Sequence, residues 1–184
     1  MATAKSVEVT NLDTTPRTIT EAGNVQGKMR VFADTIAAGT GDIDNDDVIM
    51  MAEIPSNAKV NSIKIFNDDL DSGGSPSLTT NVGLYVGQTK FTDTDGSATS
   101  YAAGAVIDED CYASAITTLQ AAKTAGVELA VEARNVNAIA NFGWEDGGLT
   151  SDPGVPLRIA LTISADAATA AAGDITMVVT YVVD

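Results

Sequence analysis

The stretch from Asp47 to Gly87 decides the fold: DVIMMAEIPSNAKVNSIKIFNDDLDSGGSPSLTTNVGLYVG. Two apolar, β-prone segments, 48–54 and 60–66, flank the turn sequence Pro55-Ser56-Asn57, in which Pro presets φ and Asn tolerates the left-handed region. After a polar, glycine-rich loop, apolar and polar residues alternate over 78–86, which indicates a half-buried strand. A strand, a tight turn, a strand, a loop and a third strand predict a β-meander.

The rest of the chain carries the same period-2 signal. Alternation predicts further strands at 28–36, 127–134, 155–163 and 175–183. The last strand has β-branched residues on both faces, so it lies in the centre of a sheet or at a subunit interface, and the central position is favoured. About eight strands with closely spaced turns are typical of an antiparallel β-sandwich or jelly roll. The predicted fold class is therefore mainly β.

One segment breaks the β pattern. Residues 111–125, CYASAITTLQAAKTA, place apolar side chains at helical spacing and are followed by Gly126 in a C-cap position. They predict one short helix of about three turns. The β-branched run Ile116-Thr117-Thr118 is the evidence against that helix.

Residues 1–27 are predicted to form an extended N-terminal arm in front of a single β-sandwich domain at 28–184. A short edge strand at 6–10 is one interpretation of the arm. A disordered terminus and an arm that orders against a neighbouring subunit are the others. The arm's larger aliphatic side chains are the candidate contacts with a neighbour or a capsid: Val7, Val9, Leu12 and Ile19.

The charge excludes several classes of partner. The 184 residues carry a formal net charge of −15 and no His. Nucleic acid is not expected as a partner, because its phosphates must be neutralised by Lys and Arg. Anionic membrane surfaces are disfavoured for the same reason. No run of eighteen apolar residues and no apolar signal segment is present, so neither a membrane span nor secretion is expected.

The residues needed for common catalytic chemistry are missing. Without His, a Ser-His-Asp or Cys-His arrangement is excluded, and one cysteine, Cys111, does not make a classical zinc site. Cys111 is predicted to be a small, half-buried hydrophobe. No nucleotide-binding glycine motif is present. We therefore expect no enzyme activity and no cofactor.

Three acidic clusters are candidate calcium sites. They are Asp42 to Asp47, Asp68 to Asp71, and the sequence Asp93-Thr94-Asp95-Gly96-Ser97. The third begins like an EF-hand loop, but its Gly comes two places early and its twelfth position is Gly104 instead of Glu. The favoured interpretation of all three is a turn whose Asp side chains cap backbone N–H groups.

Four stretches together resemble a group of small structural proteins in the heads of tailed bacteriophages. The shared features are a strand running into Pro, a strand introduced by an acidic, glycine-rich loop, and a closing hairpin with an Ala-rich connection. The stretches are EIPSNAKV (53–60), IKIFNDDLDSGGSPSLTTNVGLYVG (63–87), TLQAAKTAGVELA (118–130) and PLRIALTISADAATAAAGDITMVVTYVV (156–183).

The resemblance implies a capsid decoration, or cement, protein. Such a protein is made in the host cytoplasm, binds the major capsid protein on the outside of the shell, and commonly assembles as a homotrimer. Its N-terminal arm commonly reaches across capsid subunits, which would give residues 1–27 a role. Two alternatives stay open: a head-fibre or tail-associated virion protein that contacts the host surface or glycans, and a calcium-dependent carbohydrate-binding module.

Overall fold

The computed structural model describes residues 5–16, 18, 27–93 and 99–183. Ten strands and two short α-helices make up its regular structure, with 3₁₀ turns at Thr118–Gln120 and Val136–Ala138. In chain order the helices and strands are α1 (Val7–Leu12), β1 (Lys28–Ala38), β2 (Val48–Ile54), β3 (Lys59–Asn67), β4 (Thr79–Val86), β5 (Phe91–Asp93), β6 (Thr99–Tyr101), β7 (Val106–Ile116), β8 (Val127–Glu128), α2 (Gly143–Asp146), β9 (Leu157–Ala165) and β10 (Gly173–Val183). None of the described helices has the length and apolar content needed to cross a membrane.

Two four-stranded antiparallel sheets form a jelly roll. Sheet A has the order β1-β10-β3-β8, and sheet B has the order β2-β9-β4-β7. Consecutive strands of these sheets alternate between A and B, except that β4 and β7 are neighbours in sheet B, and this order is that of two interlocked Greek keys. The short strands β5 and β6 form a separate hairpin inserted between β4 and β7. The prediction of a mainly β, jelly-roll-like sandwich of about eight strands is confirmed. The β-meander predicted for residues 47–87 is wrong, because β2, β3 and β4 lie in alternate sheets and do not pair with one another. The closing hairpin is wrong for the same reason, since β9 and β10 lie in different sheets.

The core lies between the two sheets and is built mostly from aliphatic side chains. The inward residues alternate along each strand, as the period-2 pattern predicts. The strand β10 is central in sheet A, as expected. Examples of fully buried core residues are Ile63, Ile65, Leu84, Ile159, Leu161, Ile163, Ile175, Met177 and Val179.

The predicted helix at 111–125 was wrong. Strand β7 continues to Ile116, and only the 3₁₀ turn at 118–120 follows. Tyr112 and Ala113 are fully buried, and Ala113 pairs with Val82 of β4. Burial against β4 therefore outweighed the helical spacing, and the register with β4 shifts three times along the way.

The predicted strand at 127–134 was also wrong in length, since β8 contains only two residues. The carboxylate of Glu128 accepts hydrogen bonds from the backbone N–H groups of Ile63, at 2.9 Å, and Ala130, at 3.0 Å. The carboxylate therefore replaces a backbone carbonyl as the acceptor for the Ile63 N–H, while the Leu129 N–H still donates to the carbonyl oxygen of Ile63 at 2.8 Å. The chain then leaves the sheet and turns Leu129 and Ala130 into the core.

Strand β4 is buried on both faces, whereas the sequence predicted a half-buried strand. Gly83 explains the difference. A β-carbon at Gly83 would lie 2.1 Å from the carbonyl oxygen of Asp108 and 2.2 Å from the carbonyl carbon of Glu109. The missing side chain therefore lets the backbone of β7 lie directly against β4.

The short edge strand considered for residues 6–10 is not formed, because these residues begin α1. Ser6 is the N-cap, and its hydroxyl accepts a hydrogen bond from the N–H of Val9 at 3.4 Å. Ser is a favoured N-cap residue because its side chain satisfies an N–H group at the start of a helix. The division of the chain into an arm at 1–27 and a domain at 28–184 stays a prediction.

Candidate interaction surfaces

Most of the outer side of β1 and β10 carries no charged side chain, and we name this part the β1–β10 face. The register pairs Met29 with Val182, Val31 with Thr180, and Ala33 with Val178. Met29 is 66% exposed and Val31 is 61% exposed. The face consists of Met29, Val31, Ala33, Thr35, Thr176, Val178, Thr180 and Val182, and the outer side continues beyond it to Ala37 and the charged Asp174.

None of these eight residues carries a charge, in a chain of net charge −15. An antiparallel sheet that faces water normally presents polar side chains on its outer side. A contiguous exposed apolar patch marks an interaction site more often than a solvated surface. In the sequence, the second set of β-branched residues in β10 indicated that its outer side is apolar. The sequence did not show which side of β1 is exposed.

The free edge of β1 is the longest regular sheet edge among the described residues. Eleven consecutive register pairs join β1 to β10 without a shift, and sheet A ends at β1. The other sheet ends are interrupted: β8 has two residues, β7 has three register shifts, and β2 has a shift between Met50 and Ala52. Short or bulged edges resist pairing with other chains, whereas a long regular edge permits it.

A shallow groove separates the β1 edge from the β2 edge of sheet B. Phe32, Asp34, Met50, Glu53 and Arg158 contribute to its lining. Phe32 is half-buried against the core and Met50 is 36% exposed, so apolar surface remains open along the groove. Arg158 Nε donates to Glu53 Oε2 at 3.1 Å.

The acidic cluster at 42–47 forms capped turns, which confirms the favoured interpretation of this cluster. Asp42 Oδ2 accepts from the Gly39 N–H at 2.8 Å, and Asp47 Oδ2 accepts from the Asp44 N–H at 3.0 Å. Across the described ranges, no group of three or more Asp, Glu, Cys or His side chains is arranged to hold a metal ion.

The acidic cluster at 68–71 anchors a loop to the connection between β9 and β10. Asp71 is 1% exposed, and its carboxylate accepts four backbone N–H groups, from Ser77, Leu78, Ala168 and Thr169, at 2.6 to 3.1 Å. Burial raises the pKa of Asp71, but these four hydrogen bonds outweigh burial and hold the pKa well below its usual range.

The loop that contains Asp71, residues 67–77, combines an exposed end with a buried base. Residues 68, 69, 72 and 74–77 are exposed, whereas Asn67, Leu70 and Asp71 are buried at its base. The buried residues therefore fix the loop in place, while its glycine- and proline-containing end and the side chains of residues 68, 69 and 72 stay exposed.

The third acidic cluster lies mostly outside the described residues, which include only Asp93 of it. Asp93 ends β5, and its Oδ1 accepts from the hydroxyl groups of Thr150, at 2.7 Å, and Ser151, at 3.4 Å. Asp93 thus joins the β5–β6 hairpin to the segment after α2.

Arg134, Asp146 and Tyr112 form a buried polar network that the sequence did not reveal. Arg134 donates from Nε and Nη2 to the two carboxylate oxygens of Asp146, at 3.1 and 2.7 Å, and Tyr112 donates its hydroxyl to Asp146 at 3.1 Å. The Arg134 and Asp146 side chains are 2% and 0% exposed. Burial raises the pKa of Asp146 to about 6, against the lowering effect of the Arg134 guanidinium. With every charged atom directed at an internal partner, the network holds the segment after β8 to α2.

Cys111 is half-buried beside this network and packs against the core, as predicted. Burial raises the pKa of the Cys111 thiol well above its usual value, and the charges of Asp108 and Asp146 add to that effect. The thiolate is the reactive form of cysteine, so Cys111 is an unreactive core residue.

The predicted contact residues of the arm are only partly described. Val7 is 74% exposed and Val9 is 45% exposed on α1. Leu12 ends α1, with its side chain outside the described part, and Ile19 lies outside the described residues altogether. Their role in contacting a capsid or a neighbour stays a prediction.

Two solved structures are similar in fold over nearly the whole chain. A chain in the capsid asymmetric unit of cyanophage Pam1 matches with a TM-score of 0.58 and 21% sequence identity, with 94% of this chain and 97% of that chain covered. A chain in the capsid of Ralstonia phage GP4 matches with a TM-score of 0.60 and 20% identity, with 90% and 91% covered. No family model and no curated protein matches the sequence. At this identity the likeness establishes a shared fold between chains of about the same length.

Proposed function

We propose that the protein is a structural component of a bacteriophage virion that binds the outer surface of the capsid and stabilises it. The observation that carries the proposal is the likeness in fold, over almost the whole length of both chains, to chains in two phage capsids. The resemblance of residues 53–60, 63–87, 118–130 and 156–183 to phage head proteins points the same way. The proposal assigns no catalytic activity to the chain.

The β1–β10 face supports a role that works through contact. An uncharged, partly apolar face suits burial against another protein, because it loses little hydration energy when water leaves. The acidic remainder of the surface suits a protein exposed on the outside of a particle, where net charge keeps copies soluble. Repeated copies on a capsid lattice would add weak contacts into strong binding.

The major capsid protein is the proposed partner. The arm at 1–27, with the exposed Val7 and Val9, is the proposed second contact beside the β1–β10 face. Assembly as a homotrimer at local symmetry axes also stays a proposal, since it comes from the resemblance to decoration proteins.

Counting copies in purified virions tests the proposal. A quantitative gel of particles of the encoding phage compares the band of this chain with that of the major capsid protein. A copy number comparable with that of the major capsid protein is expected. A few copies per particle would favour a head-fibre or tail-associated protein, and absence from the particle would overturn a virion role.

A binding assay then locates the contact. Capsids that lack the protein are mixed with the full chain, with a chain lacking residues 1–27, or with Val31→Asp. We expect the truncation to abolish binding and Val31→Asp to weaken it at least ~10-fold, because a carboxylate would be buried in an apolar contact. Val106→Asp, at a residue 48% exposed on β7, is the matched control. Equal binding by the Val31 and Val106 variants would exclude the β1–β10 face as the contact.

A further inference from the structure

The side of β1 that faces the core carries three exposed charges, the positive Lys28 and Arg30 and the negative Asp34. Arg30, Phe32 and Asp34 follow one another on this side, with Phe32 opposite Val179 of β10 in the register. Arg30 and Asp34 are exposed, while Phe32 is half-buried. No described residue forms an ion pair with Arg30 or Asp34. Asp34 instead accepts the N–H of the adjacent Thr35 at 2.8 Å.

The order of Arg30 and Asp34 along β1 is self-complementary when two β1 strands pair antiparallel. If two β1 strands pair antiparallel with Phe32 at the centre, Arg30 of one copy lies directly opposite Asp34 of the partner subunit, and the same pair recurs on the other side. Directly opposite residues in antiparallel strands have β-carbons ~4.5–5.5 Å apart, which is within reach of an ion pair. Phe32 then meets Phe32 of the partner subunit, and aromatic pairs stabilise sheet contacts.

The length and regularity of the β1 edge also favour a second copy of this chain as its partner. Strand β1 is long and regular, whereas the other sheet ends are short or shifted in register. A two-fold contact uses the same edge on both copies, so it closes after two copies and leaves no β1 edge for further growth. In a chain of net charge −15, copies repel each other, so a contact between copies needs specific pairs of opposite charge.

We propose that two copies of this protein pair through their β1 edges, antiparallel about a two-fold axis at Phe32, to form one continuous eight-stranded sheet. Two pairs between Arg30 and Asp34 of the partner subunit fix the register. The β1–β10 faces of the two copies then join into one surface. The pairing concerns the free protein, so it holds or fails independently of any role on a virion.

Charge reversal tests the pairing in the free, full-length protein by sedimentation equilibrium. Arg30→Asp and Asp34→Arg each place like charges opposite one another at two positions, and each is expected to weaken the dimer at least ~10-fold in Kd. The two substitutions change the net charge in opposite directions, so general repulsion between copies cannot explain the same effect from both. The double variant Arg30→Asp/Asp34→Arg restores opposite charges across the axis and is expected to regain most of the affinity.

Lys28→Asp is the matched control. It makes the same charge change on the same side of the same strand, but at a position that faces Ile36 of the partner subunit in the proposed register. Circular dichroism and melting temperature establish that every variant is folded. A wild-type chain that stays monomeric at ~100 μM, well above the Kd expected of a specific complex, overturns the proposal. A double variant that dimerises no more tightly than the single variants also overturns it. The same holds if Lys28→Asp weakens the dimer as much as Arg30→Asp does.

Discussion

Replacing Arg134 by Met would leave the carboxylate of Asp146 buried without its counter-charge. Arg134 donates two hydrogen bonds to Asp146, and its Nη1 donates a third, at 2.7 Å, to the carbonyl oxygen of Val60. Both charged side chains are almost completely buried. Met has a similar length and is apolar, so the substitution removes the charge while leaving little empty volume.

The expected loss is about 3–5 kcal/mol of unfolding free energy at pH 8, the usual cost of removing one partner from a buried ion pair. The loss should depend on pH. In the wild type the pKa of Asp146 is raised to about 6 from an ordinary 3.8, so the native state holds the proton more tightly than the unfolded chain between these values. The stability that this group contributes is therefore present below about pH 4 and is lost as pH rises through 6.

Without the guanidinium, the pKa of Asp146 rises further. The variant then keeps losing stability above pH 6, at ~1.4 kcal/mol per pH unit, where the wild-type contribution has levelled off. Urea unfolding followed by tryptophan fluorescence at pH 6, 7 and 8 measures the difference. The gap between wild type and Arg134→Met should widen across this range.

Two further variants complete the test. Arg134→Met/Asp146→Asn removes both charges and keeps an acceptor for Tyr112, so it should recover most of the loss. Arg158→Met breaks the more exposed ion pair with Glu53, whose side chains are 25% and 42% exposed, and should cost no more than about 1 kcal/mol. A loss below ~1 kcal/mol for Arg134→Met, or a loss that does not grow from pH 6 to 8, would refute the buried-pair reasoning.

Two other substitutions test features of the fold. Gly83→Ala should lower the free energy of unfolding in urea by at least ~2 kcal/mol, because the new β-carbon would meet the backbone of Asp108 at 2.1 Å. Gly74→Ala is the control, since Gly74 borders open space, and it should change the free energy by less than ~0.5 kcal/mol. Equal effects of the two substitutions would contradict the close packing of β7 on β4. Asp71→Asn should lower the melting temperature at pH 7. The difference from wild type should narrow as pH falls below 3.8, the ordinary pKa of an Asp carboxyl, because a group whose folded-state pKa is lowered loses its stabilising contribution in acid. Asp44→Asn, at an exposed position, is the control. A melting-temperature difference for Asp71→Asn that persists unchanged at pH 2 would count against the carboxylate as the anchor of the loop.

The strands with clean alternation could be predicted from the sequence because burial in a sandwich has the same period of two. The sequence placed β1, β9 and β10 correctly for this reason. The order of strands in the sheets could not be obtained in this way. Local alternation is the same whichever neighbour a strand has, so the pairing of β1 with β10 is not written in either segment.

The errors arose where side chains bond to the backbone or where a strand packs unusually closely. At Glu128 a carboxylate ended a strand that its alternation would continue. At residues 111–116 the pairing with β4 outweighed a helical spacing. The candidate surfaces were only partly predictable. The double-sided β10 was recognised. In β1 the side with the apolar Met29 and Val31 is exposed and the side with Arg30 and Asp34 faces the core, so its orientation had to come from the structure.

The position of β1 beside β10 has a consequence for biosynthesis. The two strands are far apart in the sequence, and β10 also separates β1 from β3 in sheet A. While a ribosome is still making the chain, β1 has no neighbour, and one long edge of β3 is bare. Sheet A can close only after β10 has emerged from the ribosome. Contacts between such distant segments also make folding slow. Until β10 is in place, the nascent protein exposes both edges of β1 and one edge of β3, and this interval is when molecular chaperones would matter most.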